Sequence, residues 1–198
     1  MTRAETKERN RRALLDAAFQ IVSRDGYRAK LEEIAVRAEV TTGAIYSLFG
    51  SKNGLVVAMI SDYLTPHYDE IERTISAEMD LVEAVDAFAR YYRGTCDGPD
   101  ALSGLTLQIT LLDMAVHDHE LGSQLAESIR EQESHLIALF TGRNHNGRRV
   151  TPQHAQRLAT ALRALFVGMS QGVILGLAPD ADEQYFADAA RALAAGMG

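Results

Sequence analysis

The sequence lacks the features of a secreted or membrane-bound protein. Its 198 residues contain one cysteine, Cys96, so an intrachain disulfide is excluded and a reducing compartment is indicated. No run of about 18 apolar residues is present, and we therefore expect no membrane-spanning helix and no membrane partner. The charged N-terminus lacks the apolar stretch of a signal peptide, which predicts a cytoplasmic protein.

Basic residues are fewer than acidic ones, and they are unevenly distributed along the chain. The chain carries 20 Lys/Arg against 27 Asp/Glu, a formal net charge of -7, which argues against nucleic-acid binding if taken as a whole. Residues 1–55, however, hold ten Lys/Arg and seven Asp/Glu, a net +3, whereas residues 56–198 hold ten Arg and twenty acids, a net -10. A small basic end on an acidic body is expected when that end meets phosphate.

Strand-like alternation is absent, whereas apolar residues recur at helical spacing almost throughout. The sequence therefore predicts an all-α fold, and its 46% hydrophobic content is enough to fill a core. Caps, glycines and prolines predict helices over residues 7–24, 31–38, 42–50, from 52 onward with an interruption at Pro66, 81–95, 102–117, 121–140, 152–177 and from 183 through Leu193. The polar, basic stretch 142–150 is expected to be a mobile loop.

Pro66 falls inside the fourth of these helices. Its ring has no N–H to donate to residue 62, so it must either kink the helix or begin a new one after Thr65. In the first case Pro66 is a candidate hinge, because a missing backbone bond concentrates bending. The sequence leaves both alternatives open.

Residues 31–49 have the build of a helix-turn-helix. The first helix bears Ile34 and Ala35, a tight turn follows at residues 38–40, and the second helix carries Ile45 and Phe49 on the face that closes a small core. The opposite face of the second helix is left for DNA.

A longer motif surrounds this element. It runs Leu14-Leu-Asp-Ala-Ala-Phe-Gln-Ile-Val-Ser-Arg-Asp-Gly-Tyr27, Ile34-Ala35, Ala38-x-Val40-Thr41-x-Gly43-x-Ile45-Tyr46-x-x-Phe49 and Ser51-Lys52-x-x-Leu55. In order and spacing these residues resemble the signature of the TetR family of one-component bacterial transcription regulators. The resemblance implies a DNA-binding domain over residues 1–51 and a helical bundle for ligand binding and dimerisation over residues 52–198. It also implies operator DNA, a small-molecule effector and a second copy as partners, with no cofactor, metal or catalytic residue.

The resemblance also implies which residues meet DNA. A phosphate would be held at the start of the reading helix, where backbone N–H groups are free. The base-facing side chains lack Arg, Lys, Asn and Gln, so specificity is expected to depend on thymine methyl groups and DNA shape. The predicted DNA-binding residues are Lys30, Thr41, Thr42, Gly43, Ala44, Tyr46, Ser47 and Lys52. Salt-sensitive phosphate contacts are expected from a mobile N-terminal arm and the first helix, through Arg3, Lys7, Arg9, Arg11 and Arg12.

Three positions depart from the family pattern. Glu39 replaces a turn glycine, which requires either a negative φ or a strained left-handed backbone. Leu48 replaces a common histidine and removes a phosphate donor. The link from Arg28 to Leu31 is one residue short and lacks a Thr or Ser cap, so Lys30 is expected to take over a phosphate contact.

The predicted ligand pocket and dimer interface lie in the second domain. Bulky or isolated polar residues on apolar helix faces predict a largely apolar ligand, and the candidates are Tyr63, Phe88, Tyr92, Gln108, Leu111, Met114, Phe166 and Ser170. Three glycines at i, i+4 and i+8 predict close approach of another helix, with the partner subunit favoured over the same chain. The predicted interface is Leu165, Gly168, Met169, Gly172, Val173 and Gly176.

Two other classes of protein compete with this interpretation. An enzyme would use the pairs Asp113/His117 and Glu131/His135 as metal ligands, but the two histidines are about 20 Å apart along their helices, and no nucleotide or hydrolase motif is present. A helical ligand-binding or scaffold protein without DNA binding is the second alternative. The retained Gly43, Tyr46 and Lys52 argue against it.

Overall fold

The computed structural model describes residues 2–196, apart from the side chain of Tyr27. Over these residues the chain forms nine α-helices, a 3₁₀ turn at Gly26–Arg28 and one short hairpin, and the predicted all-α class is confirmed. The helices are α1 (Arg3–Asp25), α2 (Leu31–Arg37), α3 (Thr42–Phe49), α4 (Lys52–Thr74), α5 (Leu81–Thr95), α6 (Ala101–His117), α7 (His119–Phe140), α8 (Pro152–Ile174) and α9 (Glu183–Gly196). The hairpin pairs β1 (Asn144–His145) with β2 (Arg148–Arg149) in antiparallel register.

Side-chain caps set several helix starts. Asp80 and Glu83 form a capping box at α5, and the Thr151 hydroxyl accepts from the His154 N–H ahead of Pro152 in α8. A second capping box, between Thr2 and Glu5, starts α1 at Arg3. The prediction of a mobile N-terminal arm is therefore wrong for residues 3–6, because α1 begins four residues before the predicted start at residue 7.

The segment 142–150 is the clearest departure from the predicted fold. Instead of a mobile loop it forms the β-hairpin, whose turn places Asn146 at φ 51° and Gly147 at φ 76°. Two successive positive φ angles make the tight turn that matches strand twist, and Asn-Gly is the dipeptide that favours it. The Asn146-Gly147 dipeptide is visible in the sequence, but the surrounding helical pattern led the hairpin to be overlooked.

Buried Arg143 anchors the base of the hairpin. Its Nε donates to the Leu139 carbonyl at 2.6 Å, and its Nη1 donates to the carbonyls of Ser76 and Met79 at 2.8 and 2.6 Å. Burial lowers the pKa of this guanidinium. The side chain thus joins the Leu139 carbonyl near the end of α7 to two carbonyls in the segment between α4 and α5.

Helix α4 is continuous through Pro66. A new helix beginning after Thr65 is therefore excluded, and the hinge remains a prediction. No single helix among residues 2–196 is long and apolar enough to span a membrane, although α3 and α4, bent by 69°, pass the length and composition test together.

The chain forms two compact units. The first contains residues 2–66 and 106–128, and its core is built around fully buried Leu14, Ile34, Ile45 and Leu55. The first unit thus includes the three N-terminal helices together with parts of α4, α6 and α7. The predicted domain boundary between residues 51 and 52 stays a prediction.

The second unit contains residues 67–105 and 129–196, with an aromatic core. The Phe166 ring lies 5.2 Å from Phe88 and 6.0 Å from Phe186, centroid to centroid. Helices α5 and α9 pack along each other, and Asp86 of α5 pairs with Arg90 at 2.7 Å and also with Arg191 of α9. Cys96 is 8% exposed in this core, and burial raises the pKa of its thiol.

Candidate nucleic-acid interface

The turn between α2 and α3 is closed by backbone hydrogen bonds. The Val40 N–H donates to the Ala35 carbonyl at 3.0 Å, and the Glu39 N–H donates to the Val36 carbonyl at 3.1 Å. This pattern places the residue after the helix end in the left-handed region, and Glu39 has φ 55°. Of the two outcomes expected for Glu39, the strained backbone is therefore the one found.

Helix α3 has a buried face and an open face. Ile45 is completely buried, and Leu48 and Phe49 are partly buried against the same core. The Thr41 hydroxyl accepts from the Ala44 N–H at 3.3 Å and caps the helix. The cap orients the first turn, and the single buried stripe fixes the rotation of the helix about its axis.

The open face carries the predicted DNA-reading residues. Gly43, Ser47 and Tyr46 are exposed, Tyr46 at 56%, while Thr42 and Ala44 are half-buried. A Cβ atom added to Gly43 would meet only the Thr41 hydroxyl, at 3.6 Å, which is an ordinary contact. The fold therefore does not require glycine at position 43, whereas a surface approached by a DNA backbone gains from it.

The two predicted phosphate-binding lysines differ in their surroundings. Lys30 is exposed in extended backbone immediately before α2. The Lys52 ammonium donates to the Ala29 carbonyl at 2.5 Å, and burial lowers its pKa although Glu32 opposes that shift. Lys52 thus ties the first turn of α4 to the segment that precedes α2.

Gly54 is a structural residue that sequence reasoning missed. A Cβ atom at this position would lie 2.1 Å from the Phe49 carbonyl oxygen, so the first turn of α4 passes directly over the end of α3. The Gly54 N–H donates to the Ser51 hydroxyl at 2.9 Å, which caps α4. The close approach sets how α3 meets the helix behind it, and a glycine between Lys52 and Leu55 was its only signal.

The basic residues of α1 divide into two groups. Arg3, Lys7, Arg9 and Arg12 are exposed on the helix. Arg11 instead lies 6.0 Å above the Phe49 ring and 3.8 Å from the Asp62 carboxylate. Its charge already has partners within the first unit, so Arg11 is less suited to phosphate than the other four.

The predicted ligand-pocket residues fall in both compact units. Tyr63, Gln108, Leu111 and Met114 belong to the first unit, where Tyr63 stacks on Phe19 with ring centroids 5.4 Å apart. Phe88, Tyr92, Phe166 and Ser170 belong to the second, where the Tyr92 and Phe166 rings stack at 5.2 Å. Met114 lines a cavity of about 370 Å³ in the first unit.

The histidine pairs of the enzyme alternative are placed differently from the metal-site hypothesis. His117 lies 3.7 Å from Asp113, whereas His135 lies 3.4 Å from Glu72 instead of Glu131. Within residues 2–196 no group of three or more His, Cys, Asp or Glu could hold a metal ion.

The predicted dimer stripe needs one correction. Gly176 does not lie on α8, which ends at Ile174; it adopts φ 70° just beyond the helix, where the Leu177 and Ala178 N–H groups donate to the Gly172 carbonyl. The left-handed backbone at this helix end explains why residue 176 is a glycine.

The two remaining glycines of the stripe differ. A Cβ atom on Gly172 would meet Ala178 of the same chain at 3.3 Å, whereas one on Gly168 would meet nothing within 4 Å. Gly168 is therefore the position where a second helix has room to approach.

Comparisons with known proteins bear on this geometry. The sequence profile of bacterial regulatory proteins of the tetR family matches residues 14–59, which span most of α1, the helix-turn-helix and the start of α4. Over these residues the chain is similar to the DNA-binding segment of TetR-family regulators. The matched residues are the ones that contain the predicted DNA-reading element.

Similarity outside the TetR-family segment lies in the fold. The HTH-type transcriptional regulator YvkB of Bacillus subtilis is 39% identical over 62 residues, which are 31% of this chain and only 33% of that relative. NalD of Pseudomonas aeruginosa, the secondary repressor of the MexAB-OprM multidrug efflux pump, has a TM-score of 0.64 and 21% identity over 93% of this chain and 95% of its own. FadR of Bacillus subtilis, solved with stearoyl-CoA, has a TM-score of 0.65 and 15% identity over 92% and 96%. Such low identities show a shared fold alone.

Proposed function

We propose that the chain is a dimeric, ligand-responsive transcription regulator, a repressor that a small and largely apolar molecule releases from operator DNA. The open face of α3 carries this proposal. Its residues are small or hydroxylated, they project from a helix whose opposite side is locked by Ile45, and the cap at Thr41 leaves backbone N–H groups at the helix start for a phosphate.

Binding would be driven by phosphate contacts and only tuned by base contacts. The exposed cations of α1, Lys30 and the exposed Tyr46 phenol would contact phosphate and fix the register of α3 on the duplex. Thr42 and Ala44 offer methyl groups that suit thymine, and no side chain on this face forms a bidentate pair with guanine or adenine. We therefore expect strong salt dependence and a sequence preference set largely by DNA shape.

A binding assay on the DNA that flanks the protein's own gene tests the proposal. Fluorescence anisotropy at several salt concentrations should give an affinity that falls linearly on a log-log plot. Ser47→Asp places a carboxylate on the exposed α3 face and should weaken binding at least tenfold, because a negative charge on this face would be repelled by the polyanionic duplex. Ser103→Asp adds the same charge at an exposed position in the first turn of α6 and should leave the affinity unchanged.

The same assay separates the alternatives. A scaffold or ligand-binding protein without DNA recognition would show no salt-dependent affinity for any genomic duplex. Equal losses in Ser47→Asp and Ser103→Asp would show that net charge, and not the α3 face, governs binding.

Dimerisation through α8 is the second part of the proposal. Two reading helices must lie about 34 Å apart to enter successive major grooves, so one copy reads only half a site. Gly168→Leu should keep the helical circular-dichroism spectrum, because the position is open within one chain. In sedimentation velocity it should convert dimers to monomers, since the larger side chain blocks an approaching helix. A dimer that persists in this variant would place the interface elsewhere.

Ligand release is the third part. A ligand can shift the protein away from DNA only if it binds the mismatched arrangement of reading helices more tightly than the DNA-bound one. FadR, which has the same fold, was solved with stearoyl-CoA, which supports a largely apolar ligand. Pro66 in α4 is the candidate hinge. If the Pro66→Ala variant responds to the ligand as the parent does, Pro66 is not a hinge.

A further inference from the structure

A cavity of about 370 Å³ lies in the first unit, beside two residues that are predicted to contact DNA. Arg28 and Lys30 contribute to its walls from the segment before α2, and Lys52 and Asn53 contribute from the start of α4. Met114 and Leu121, which are 2% and 1% exposed, also line it. Its volume falls at the lower end of the range for small-molecule sites.

The charges that line the cavity are unbalanced. Three cations face one carboxylate, that of Asp118, which is already engaged: it accepts from the Leu121 N–H at 3.0 Å and from the Asn53 amide at 3.2 Å. These hydrogen bonds hold the pKa of Asp118 below its usual range, so it stays ionised, and its single charge offsets only one of the three cations. A concave site lined mainly by one sign of charge attracts the opposite sign.

We propose that this cavity binds a small organic phosphate, with the phosphate between Arg28, Lys30 and Lys52 and the organic part against Met114 and Leu121. A dianionic phosphate matches the excess of two positive charges, and guanidinium and ammonium donors are the groups that proteins use for it. The apolar residues have no counterpart in a sugar-phosphate backbone, which favours a small molecule over DNA as the source of the phosphate.

An anion at this position also offsets a cost that the folded chain carries. The Lys52 ammonium is half-buried, and burial lowers its pKa. A bound phosphate stabilises that charge. Because Lys30 and Lys52 are also predicted to contact DNA phosphate, occupancy of the cavity should weaken DNA binding.

Isothermal titration of the DNA-free protein with phenyl phosphate tests the proposal, with inorganic phosphate and phenol as reference probes. We expect saturable binding of phenyl phosphate, weaker binding of inorganic phosphate and none of phenol. Lys30→Gln and Arg28→Gln should each weaken phenyl phosphate binding about fivefold, the size of one close charge pair. Asp118→Asn keeps one acceptor oxygen for the Leu121 N–H and removes the opposing charge, so it should tighten binding. Arg157→Gln, an equal charge change at an exposed position of α8, should have no effect.

Several outcomes would overturn this inference without touching the proposed function. One is the absence of saturable phenyl phosphate binding at millimolar concentration while DNA binding persists; loss of DNA binding alone in Lys30→Gln would then assign these cations to backbone phosphate. Another is equal weakening in Arg157→Gln and Lys30→Gln, which would indicate a general charge effect.

Discussion

Glu39 gives the sharpest test of the helix-turn-helix geometry. It holds φ 55° in the turn between α2 and α3, where a side chain with a Cβ is strained. Left-handed backbone costs a residue with a Cβ about 1–2 kcal/mol, and glycine avoids this cost. Glycine in turn has more freedom in the unfolded chain, which offsets about 0.4–1 kcal/mol. Glu39→Gly should therefore raise the free energy of unfolding by about 0.5–1 kcal/mol.

Urea denaturation followed by circular dichroism measures this change, and Glu39→Ala is the matched control. Alanine removes the same carboxylate but keeps the Cβ and the strain, so its stability should stay within about 0.5 kcal/mol of the parent. Glu39→Asn should fall between the two, because asparagine tolerates left-handed backbone. If the glycine variant were no more stable than the alanine variant, the strain argument would be refuted.

Three further changes test other parts of the structure. Gly54→Ala should lower the free energy of unfolding by about 2–3 kcal/mol, because its methyl group would lie 2.1 Å from the Phe49 carbonyl oxygen and force the two helices apart. Gly43→Ala should raise it by about 0.5–1 kcal/mol, since alanine fits the helix there; a loss in thermal or urea denaturation would contradict the open-face geometry. Arg143→Met should cost about 3 kcal/mol or more, because three hydrogen bonds from a buried guanidinium are lost. Arg148→Met on the exposed strand β2 should change stability by less than about 0.5 kcal/mol, and similar values for both would count against the anchoring role of Arg143.

Much of the helical architecture could be predicted because its signals are local. The Asp80 cap and Thr151-Pro152 mark helix starts through hydrogen bonds within one turn, and α5 begins and ends where predicted. The buried face of α3 follows from the spacing of Ile45 and Phe49. The errors arose where a local signal was outweighed or overlooked, as at the Asn146-Gly147 turn and at the Thr2 cap of α1.

Glycines show why the site was harder to predict than the fold. Gly54 and Gly43 are eleven residues apart and look alike in sequence, yet one is required by a backbone approach of 2.1 Å and the other is not. Gly176 belonged by spacing to a helix-packing stripe, but it serves as a left-handed helix end. The role of a glycine depends on what lies opposite its missing side chain, and sequence spacing does not report that.

The sequence by itself determined the helices, their caps, the basic N-terminal end and the family motif, because each depends on residues close together in the chain. Only the tertiary structure decided that Arg143 donates hydrogen bonds to carbonyls distant in the chain and that the Lys52 ammonium donates to the Ala29 carbonyl. It also decided that one cavity is lined by Arg28, Lys30, Lys52 and Asp118. The Arg143–Ser76 and Lys52–Ala29 hydrogen bonds join residues 67 and 23 positions apart in the chain. Their partners are chosen by packing, and the energy of a buried charge or carbonyl depends on which donor or acceptor that packing brings to it.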